Sequence, residues 1–452
     1  MSRTPHPLVD GTGVPGADRV ASWAAGLVEP GLSDAERVDR IRACEDLKAQ
    51  LCAAQARLSV DLDVSQCEEQ THRGVPADQR GRGVAGQVAL ARRESPHRGG
   101  THLGLAKVLV HEMPHALAAM EAGVLSEWRA TLVARETACL SREDRAAVDT
   151  RLFADPATAE GWGDRRLVAE AKKIGYTLDP RAVVDRARRE VSERRVSVRP
   201  VPETMSQVTA LLPAAQGIAV WACLGAHADR LRAQGDPRTR GQIMADTLVV
   251  RVTGQDTAEA VPVAVNMTLS DQTLIAGGTD PAWLGGHGPI PAALARELTA
   301  TATEQALATL RKLYVSPTTG QLTALESVAR TFPAGLGLFL DLRDQSCRTP
   351  WCDAPVRHHD HIEDWAVGGP TTGINGQGLC EQCNHTKQAP GWTTTTDPPD
   401  PFDAGSSRHR VTTTTPTGHQ VTSTAPDLPR PAVQIHTLTR REKRLLELVL
   451  AV

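Results

Sequence analysis

Four cysteines stand in two pairs late in the chain: Cys347 and Cys352 in CRTPWC, and Cys380 and Cys383 in CEQC. A structural Zn²⁺ takes four thiolate or imidazole ligands in a tetrahedron, usually offered as two tight turns from distant chain segments. These two pairs supply such turns, so the four sulfurs are expected to bind zinc. Between and around them lie His358, His359, Asp360, His361, Asn375, Asn384, His385 and Lys387. The zinc already has four sulfurs, which leaves these residues for another task. Asp360 and Asn384 carry hard oxygen ligands suited to Mg²⁺ or Mn²⁺. A hard cation on a few protein oxygens, with positions open to water and phosphate, is the apparatus of phosphodiester cleavage. The adjacent His361 titrates near neutrality and suits a general base.

With these residues in place, 347–387 resembles the HNH, or ββα-metal, endonuclease family in its subtype with a four-cysteine zinc. The resemblance runs through Cys347, Cys352, Asp360-His361-Ile362, Gly368-Gly369, Asn375, Leu379-Cys380, Cys383-Asn384 and Lys387. It implies two antiparallel strands and a helix gripping one cation. It makes Asp360 the first ligand of that cation, Asn384 the second, and His361 the base that activates water. Asn375 would orient the loop between the strands, and Lys387 would touch phosphate or the helix end. The family often has histidine where Asn384 stands, and His385 follows it, so a part for His385 stays open. Strand alternation sets His359 and His361 on one face, and His358 and Asp360 on the other. The base is therefore assigned to His361 from the motif, not from geometry. His358, His359 and His385, taken singly, read as surface or supporting residues. Arg343, Arg348, Arg357 and Lys387 are candidate phosphate contacts, each of which would steepen the salt dependence of binding.

The reaction implied is hydrolysis of DNA to 5′-phosphate and 3′-hydroxyl ends, with DNA favoured over RNA by the resemblance alone. The rival is a non-cleaving DNA-binding or adaptor protein, a decayed mobile-element nuclease whose zinc module is purely structural. Asp360, His361 and Asn384 together argue against it, because a structural zinc module has no need of that trio.

The elements that must position these residues are mostly helical. The chain has 452 residues, 40% hydrophobic and 23% charged, with aromatics at only 3%. That length points to several domains. Ala, Val and Leu must fill most of the core, which favours packed helices. A net charge of −3 excludes bulk polyanion binding and restricts any nucleic-acid surface to a local patch. Nine cysteines, five of them scattered singly, fit a reducing compartment. The start, MSRTPHPLVDGTGVPGADR, lacks the apolar core of a signal peptide, and no run approaches the ~18 apolar residues of a membrane span. A cytoplasmic location without membrane partners is expected. Oligomeric state is not legible.

Residues 1–18 read as disordered. Residues 19–155 read as the first part of a helical domain, with a capping box at Ser33 to Glu36 and further helix starts at Ser126 and Ser141. Residues 156–335 read as its second part: a basic helix around Arg181 to Arg199 laced with ion pairs, another helical stretch after Pro200, and a strand near 261–269. Residues 336–392 hold the nuclease module. Residues 393–452 read as loop, then a possible hairpin over 411–424 about Pro416-Thr417-Gly418, then a terminal helix or disordered tail. The fold class is mainly α with a small β element, plus a C-terminal ββα module. The stretch of about 85–330 also resembles the helical domain of unknown function that precedes HNH modules in many actinobacterial proteins (the 13E12 repeat family). That likeness runs through Ser126-Glu127-Trp128-Arg129, Ala134-Arg135-Glu136-Thr137, Leu211-Leu212-Pro213-Ala214, Gly235-Asp236-Pro237-Arg238 and Gly288-Pro289-Ile290-Pro291. It implies an architecture and a mobile-element relative, but no activity.

Overall fold

The computed structural model describes residues 25–28, 30–255, 257, 267–270, 273–274, 278–304, 326–327, 331–397 and 408–426. The expected disordered start, most of the strand over 261–269 and the terminal helix or tail lie outside these residues. The chain divides into two compact units. The first is Met1–Arg80 with Thr101–Arg186, and the second is Gly81–Gly100 with Ala187–Val452. Residues 81–100, which the sequence reads into the first helical stretch, thus fall with the unit that carries the two cysteine pairs.

The regular structure of the first unit, among its described residues, is helical. Its longest element is α1 (Asp34–His72). Ser33 accepts from the Glu36 N–H, and the Glu36 carboxylate accepts from the Ser33 N–H at 2.8 Å, so both ends of the capping box are made. Along α1, Ala49, Ala53, Ala56 and Val60 are buried at a spacing that returns to one helix face. They join a core with side chains from α4 (Pro114–Glu121), α5 (Glu127–Glu136), α6 (Arg142–Phe153) and α7 (Asp164–Leu178). Leu109, Met113, Met120, Leu152 and Leu167 are the largest fully buried side chains there. Between α1 and α4 in sequence come α2 (Val84–Arg92), in the second unit, and α3 (Pro96–His111), which belongs to the first from Thr101 on. Ser126 and Ser141 cap α5 and α6, accepting from Arg129 N and Asp144 N. The start of α4 has no cap of its own. Asp149, fully buried on α6, accepts from the N–H groups of His115 and Ala116, each at 2.8 Å. Burial pushes its carboxyl up, and those two bonds offset only part of that rise.

The basic helix is α8 (Pro180–Glu190), which buries none of its residues. It ends earlier than the sequence suggests. Arg195–Val201 is strand β1, paired antiparallel with β2 (Met205–Leu211), Val198 opposite Val208. The helical stretch expected after Pro200 therefore begins only at α9 (Ala214–Ala233). Alternation of Val196, Val198 and Pro200 with polar residues is a two-residue period, and it overrides the charged composition that suggested helix. Next comes α10 (Arg240–Thr253), with a Thr239–Gln242 capping box and Gly254 as its left-handed end. A small sheet follows, β3 (Met267–Thr268), β4 (Ala282–Leu284) and β5 (Gly288–Ile290), then α11 (Ala292–Glu304).

The cysteine-bearing part starts with β6 (Glu326–Ser327) and α12 (Ala334–Asp344). Strand β7 (His358–His361) pairs antiparallel with β9 (Gly376–Leu379), and β6 pairs with β8 (Thr371–Thr372). One face of the β7–β9 ribbon meets α12, and the other meets α13 (Glu381–Lys387). Gly376 permits the α12 approach: a Cβ there would sit 2.9 Å from Leu340 Cδ1 and 2.8 Å from the Phe332 ring. Last comes the sheet β10 (Thr393–Thr396), β11 (Arg410–Thr414) and β12 (Gln420–Thr424). Helix α2 packs on this part through a buried cluster of Leu90, Ala389 and Trp392.

A buried ion network ties the pieces of this part together. Arg343 grips the Asp344 carboxylate at 2.7 and 2.9 Å and donates to Gly376 O at 2.8 Å. Asp344 accepts from Gly378 N at 2.7 Å, which fixes the edge of β9. Arg348 donates to His409 O at 3.1 Å and Ser423 O at 3.0 Å, holding the C-terminal sheet. Burial pulls its guanidinium down to about 10 despite the Asp344 charge.

Candidate metal centre

The first pair of cysteines sits in a tight turn after α12. Cys347 N donates to Ala354 O at 2.9 Å and Cys352 N to Thr349 O at 3.0 Å, with Trp351 between them at φ +60°. The second pair opens α13: Cys380 is its N-cap, and its sulfur accepts from Cys383 N at 3.4 Å. All four sulfurs lie within 4.8 Å of one another. Cys352 Sγ and Cys380 Sγ are 3.8 Å apart. With Zn–S bonds of ~2.3 Å, the edge of a tetrahedron comes to ~3.8 Å. The four sulfurs can therefore hold a metal such as zinc, and no disulfide joins them. Without a cation the group is electrostatically unfavourable as thiolates. Its hydrogen-bonded neighbours Cys347 and Cys352, together with burial, push the Cys383 thiol up. A metal ion relieves that repulsion by binding the deprotonated sulfurs.

Beside this cluster the β7 residues divide by face. His358 and Asp360 meet α13: His358 Nδ1 lies 2.8 Å from Asn384 Nδ2, and Asp360 Oδ2 lies 2.9 Å from Lys387 Nζ. His359 and His361 point the other way. His359 Nε2 is 2.8 Å from Asp341 of α12. The His361 ring packs against Phe332, centroids 4.5 Å apart, with Nε2 2.8 Å from Thr371 Oγ1. The alternation predicted from sequence thus separates His361 from Asp360 and Asn384 across the strand. His385 stands near His358, ring centroids 6.4 Å apart.

Asn375 is buried and binds the loop between β7 and β9 at four points. Its Oδ1 accepts from Glu363 N at 2.9 Å, and its Nδ2 donates to Glu363 O at 3.0 Å and Pro370 O at 2.9 Å. Its carbonyl accepts from Ile362 N at 2.7 Å.

Two of the candidate phosphate contacts, and Arg343, are engaged within the protein. Arg348 is only 5% exposed and is committed to the C-terminal sheet, and Arg343 to Asp344 and β9. Lys387 is bound to Asp360, to Asp364 Oδ1 at 3.0 Å and to the His361 carbonyl. Composition shows that an arginine is charged but not that it is buried. Arg357 is exposed.

Sequence reasoning missed Gln377, whose Nε2 donates to Asp360 Oδ2 at 3.0 Å, and Thr371 and Phe332 around His361. Gln377 was findable: it lies opposite Asp360 in the β7–β9 register. No local signal marks Thr371 or Phe332, which are brought in by β8 and by the approach to α12.

Asp360 and Asn384 both lie on the α13 side, and both contacts to Asp360 fall on Oδ2. Asn384 Oδ1 is buried and has no hydrogen-bond partner among the described residues. A buried amide oxygen left without a donor is costly unless something positive meets it. Oxygen donors of this kind fit a hard divalent cation.

Among the described residues, no helix is long and apolar enough to cross a membrane. No curated protein and no solved structure matches the chain. A family model, described as a domain of unknown function (DUF222), matches residues 39–344, from within α1 to the end of α12 and short of the first metal-site cysteine. That match covers well over half of the sequence, and the chain belongs to the DUF222 family.

Proposed function

We propose that residues 347–387 form a zinc-stapled HNH nuclease module, and that the protein hydrolyses phosphodiester bonds in DNA with a divalent cation. The observation that carries this reading is the buried, unpartnered Oδ1 of Asn384 on the helix side that Asp360 also faces, beside a four-cysteine cluster that caps the same helix. Asp360 and Asn384 would hold Mg²⁺ or Mn²⁺, which when bound supplies positive charge to the scissile phosphate and the leaving 3′ oxygen. The zinc staples, because so small a module has too little core to hold itself. Asn375 holds the loop that follows β7, and with it the end of the strand. His361 is the base by the motif. It is the last residue of β7, so water at that end of the strand is the water it would deprotonate. Arg357 remains as an exposed phosphate contact.

A second reading is a DNA-binding or adaptor protein that does not cut. Lys387 favours it, since its ammonium already neutralises Asp360, and so does the turn of His361 away from Asp360. Plasmid cleavage by the full-length protein with Mg²⁺ or Mn²⁺ separates the two. Wild type is expected to nick or linearise plasmid, while Asp360→Ala and His361→Ala leave it intact. Folded, zinc-loaded wild type that binds DNA without cutting any substrate would establish the second reading instead.

A further inference from the structure

The cation reading places a burden on Asn384 that Asp360 does not share. A carboxylate presents oxygen from either side. A carboxamide presents oxygen on one side and an N–H₂ on the other, and the two ends are nearly alike in shape. An Asn that ligates a cation must therefore be told which way to point. Packing alone gives little instruction, so a polar neighbour has to decide.

His358 is that neighbour. Its Nδ1 lies 2.8 Å from Asn384 Nδ2, and Asn384 Oδ1, at the opposite end of the amide, is buried without a partner. In the tautomer that carries its proton on Nε2, Nδ1 accepts the amide N–H and cannot donate to the oxygen. Turning the amide over would set Oδ1 against that lone pair and bury two unpaired N–H bonds where Oδ1 now stands. The register of β7 fixes this arrangement. His358 sits two residues before Asp360 and so shares its face toward α13. On α13 the residues that meet that face, Asn384 and Lys387, are one turn apart.

We infer that His358 is a positioning residue that sets the amide of Asn384, so that its oxygen and not its nitrogen is offered to the divalent cation. The inference rests on the cation reading above and goes beyond it by assigning His358 a task. Partners of this kind typically change metal affinity 10–100-fold when removed.

The test is Mn²⁺ binding to the full-length, zinc-loaded chain, followed by calorimetry or by the free-Mn²⁺ electron paramagnetic resonance signal. His358→Ala should weaken Mn²⁺ binding about 10–100-fold. His358→Gln should recover much of it, because its amide oxygen can accept the same N–H. The deciding variant is Asn384→Asp, whose two carboxylate oxygens need no orientation. In that background His358→Ala should change Mn²⁺ affinity less than about threefold. Zinc content and thermal melting of each variant report the fold separately. An equal loss in the wild-type and Asn384→Asp backgrounds, or no loss in His358→Ala, overturns the inference. Absence of Mn²⁺ binding in the wild type overturns it together with the cation reading. The expected pattern in a protein that cuts no DNA would keep the inference and remove the nuclease.

Discussion

At the scale of single residues, the site depends on side chains that satisfy backbone groups. Asn375 carries three hydrogen bonds through its amide alone. Asn375→Ala leaves the part-buried Glu363 N, Glu363 O and Pro370 O without that partner. It is expected to cost about 2–3 kcal/mol, read as a shift in the urea midpoint of the cysteine-bearing part. An unchanged midpoint would mean that water replaces the side chain. His409 makes a second prediction. Burial, then the Arg343 charge, pulls its imidazole down to about 4, while the Ile374 carbonyl accepts its Nε2–H at 2.8 Å. The charged groups facing it are Arg343, Arg348 and Asp344. A histidine whose folded value is depressed is held neutral in the fold, and the unfolded chain takes up its proton first. Its contribution is full above an unfolded value of about 6.5 and is lost as pH falls from there toward about 4. Urea midpoints of wild type should thus fall across that window more steeply than those of His409→Gln. Parallel pH profiles would count against this.

At the scale of elements, two helices start on groups that tie them to other parts of the chain. Helix α4 is capped by Asp149 from α6. Asp149→Ala strips one buried and one part-buried N–H of their acceptor and is expected to destabilise the first unit by about 2 kcal/mol. Chemical denaturation followed on that unit checks it, and Asp149→Asn, which keeps one acceptor oxygen, should cost less. Helix α13 starts on Cys380, so its start is also a corner of the metal cluster. Cys380→Ser should lose zinc and release α13 from β7, whereas Asp360→Ala should keep both zinc and fold. Equal zinc in wild type and Cys380→Ser would contradict the staple.

At the scale of the whole molecule, the two units make metal dependence a local property. The sulfur cluster belongs to the second unit, and the first is held by apolar helix packing with no metal-binding group among its described residues. A strong zinc chelator should therefore expose the region around 347–397 to protease while the helices of the first unit, from α1 through α7, resist. Cleavage spread evenly through both units would refute this. The family match stops at Asp344, so the chain combines a DUF222 region with a four-cysteine cluster, able to hold a metal, that follows it.

Much of this was legible in sequence because it is local. Ser33, Ser126 and Ser141 announce helix starts through bonds made three residues on, and the paired cysteines announce a cluster able to hold a metal through turn geometry. The two-residue period of β7 also divides His358 and Asp360 from His359 and His361 before any partner is known. Long-range contacts decided the rest. Only the fold could show that Arg348 and Lys387 are tied up inside, since charge says nothing of which carbonyls or carboxylates surround it. Nor could the sequence assign residues 81–100 to the second unit, a placement that rests on Leu90 meeting Ala389 and Trp392 far along the chain. The amide of Asn384 is the sharpest case: the residue type offers either end, and the neighbour supplied by β7 chooses between them.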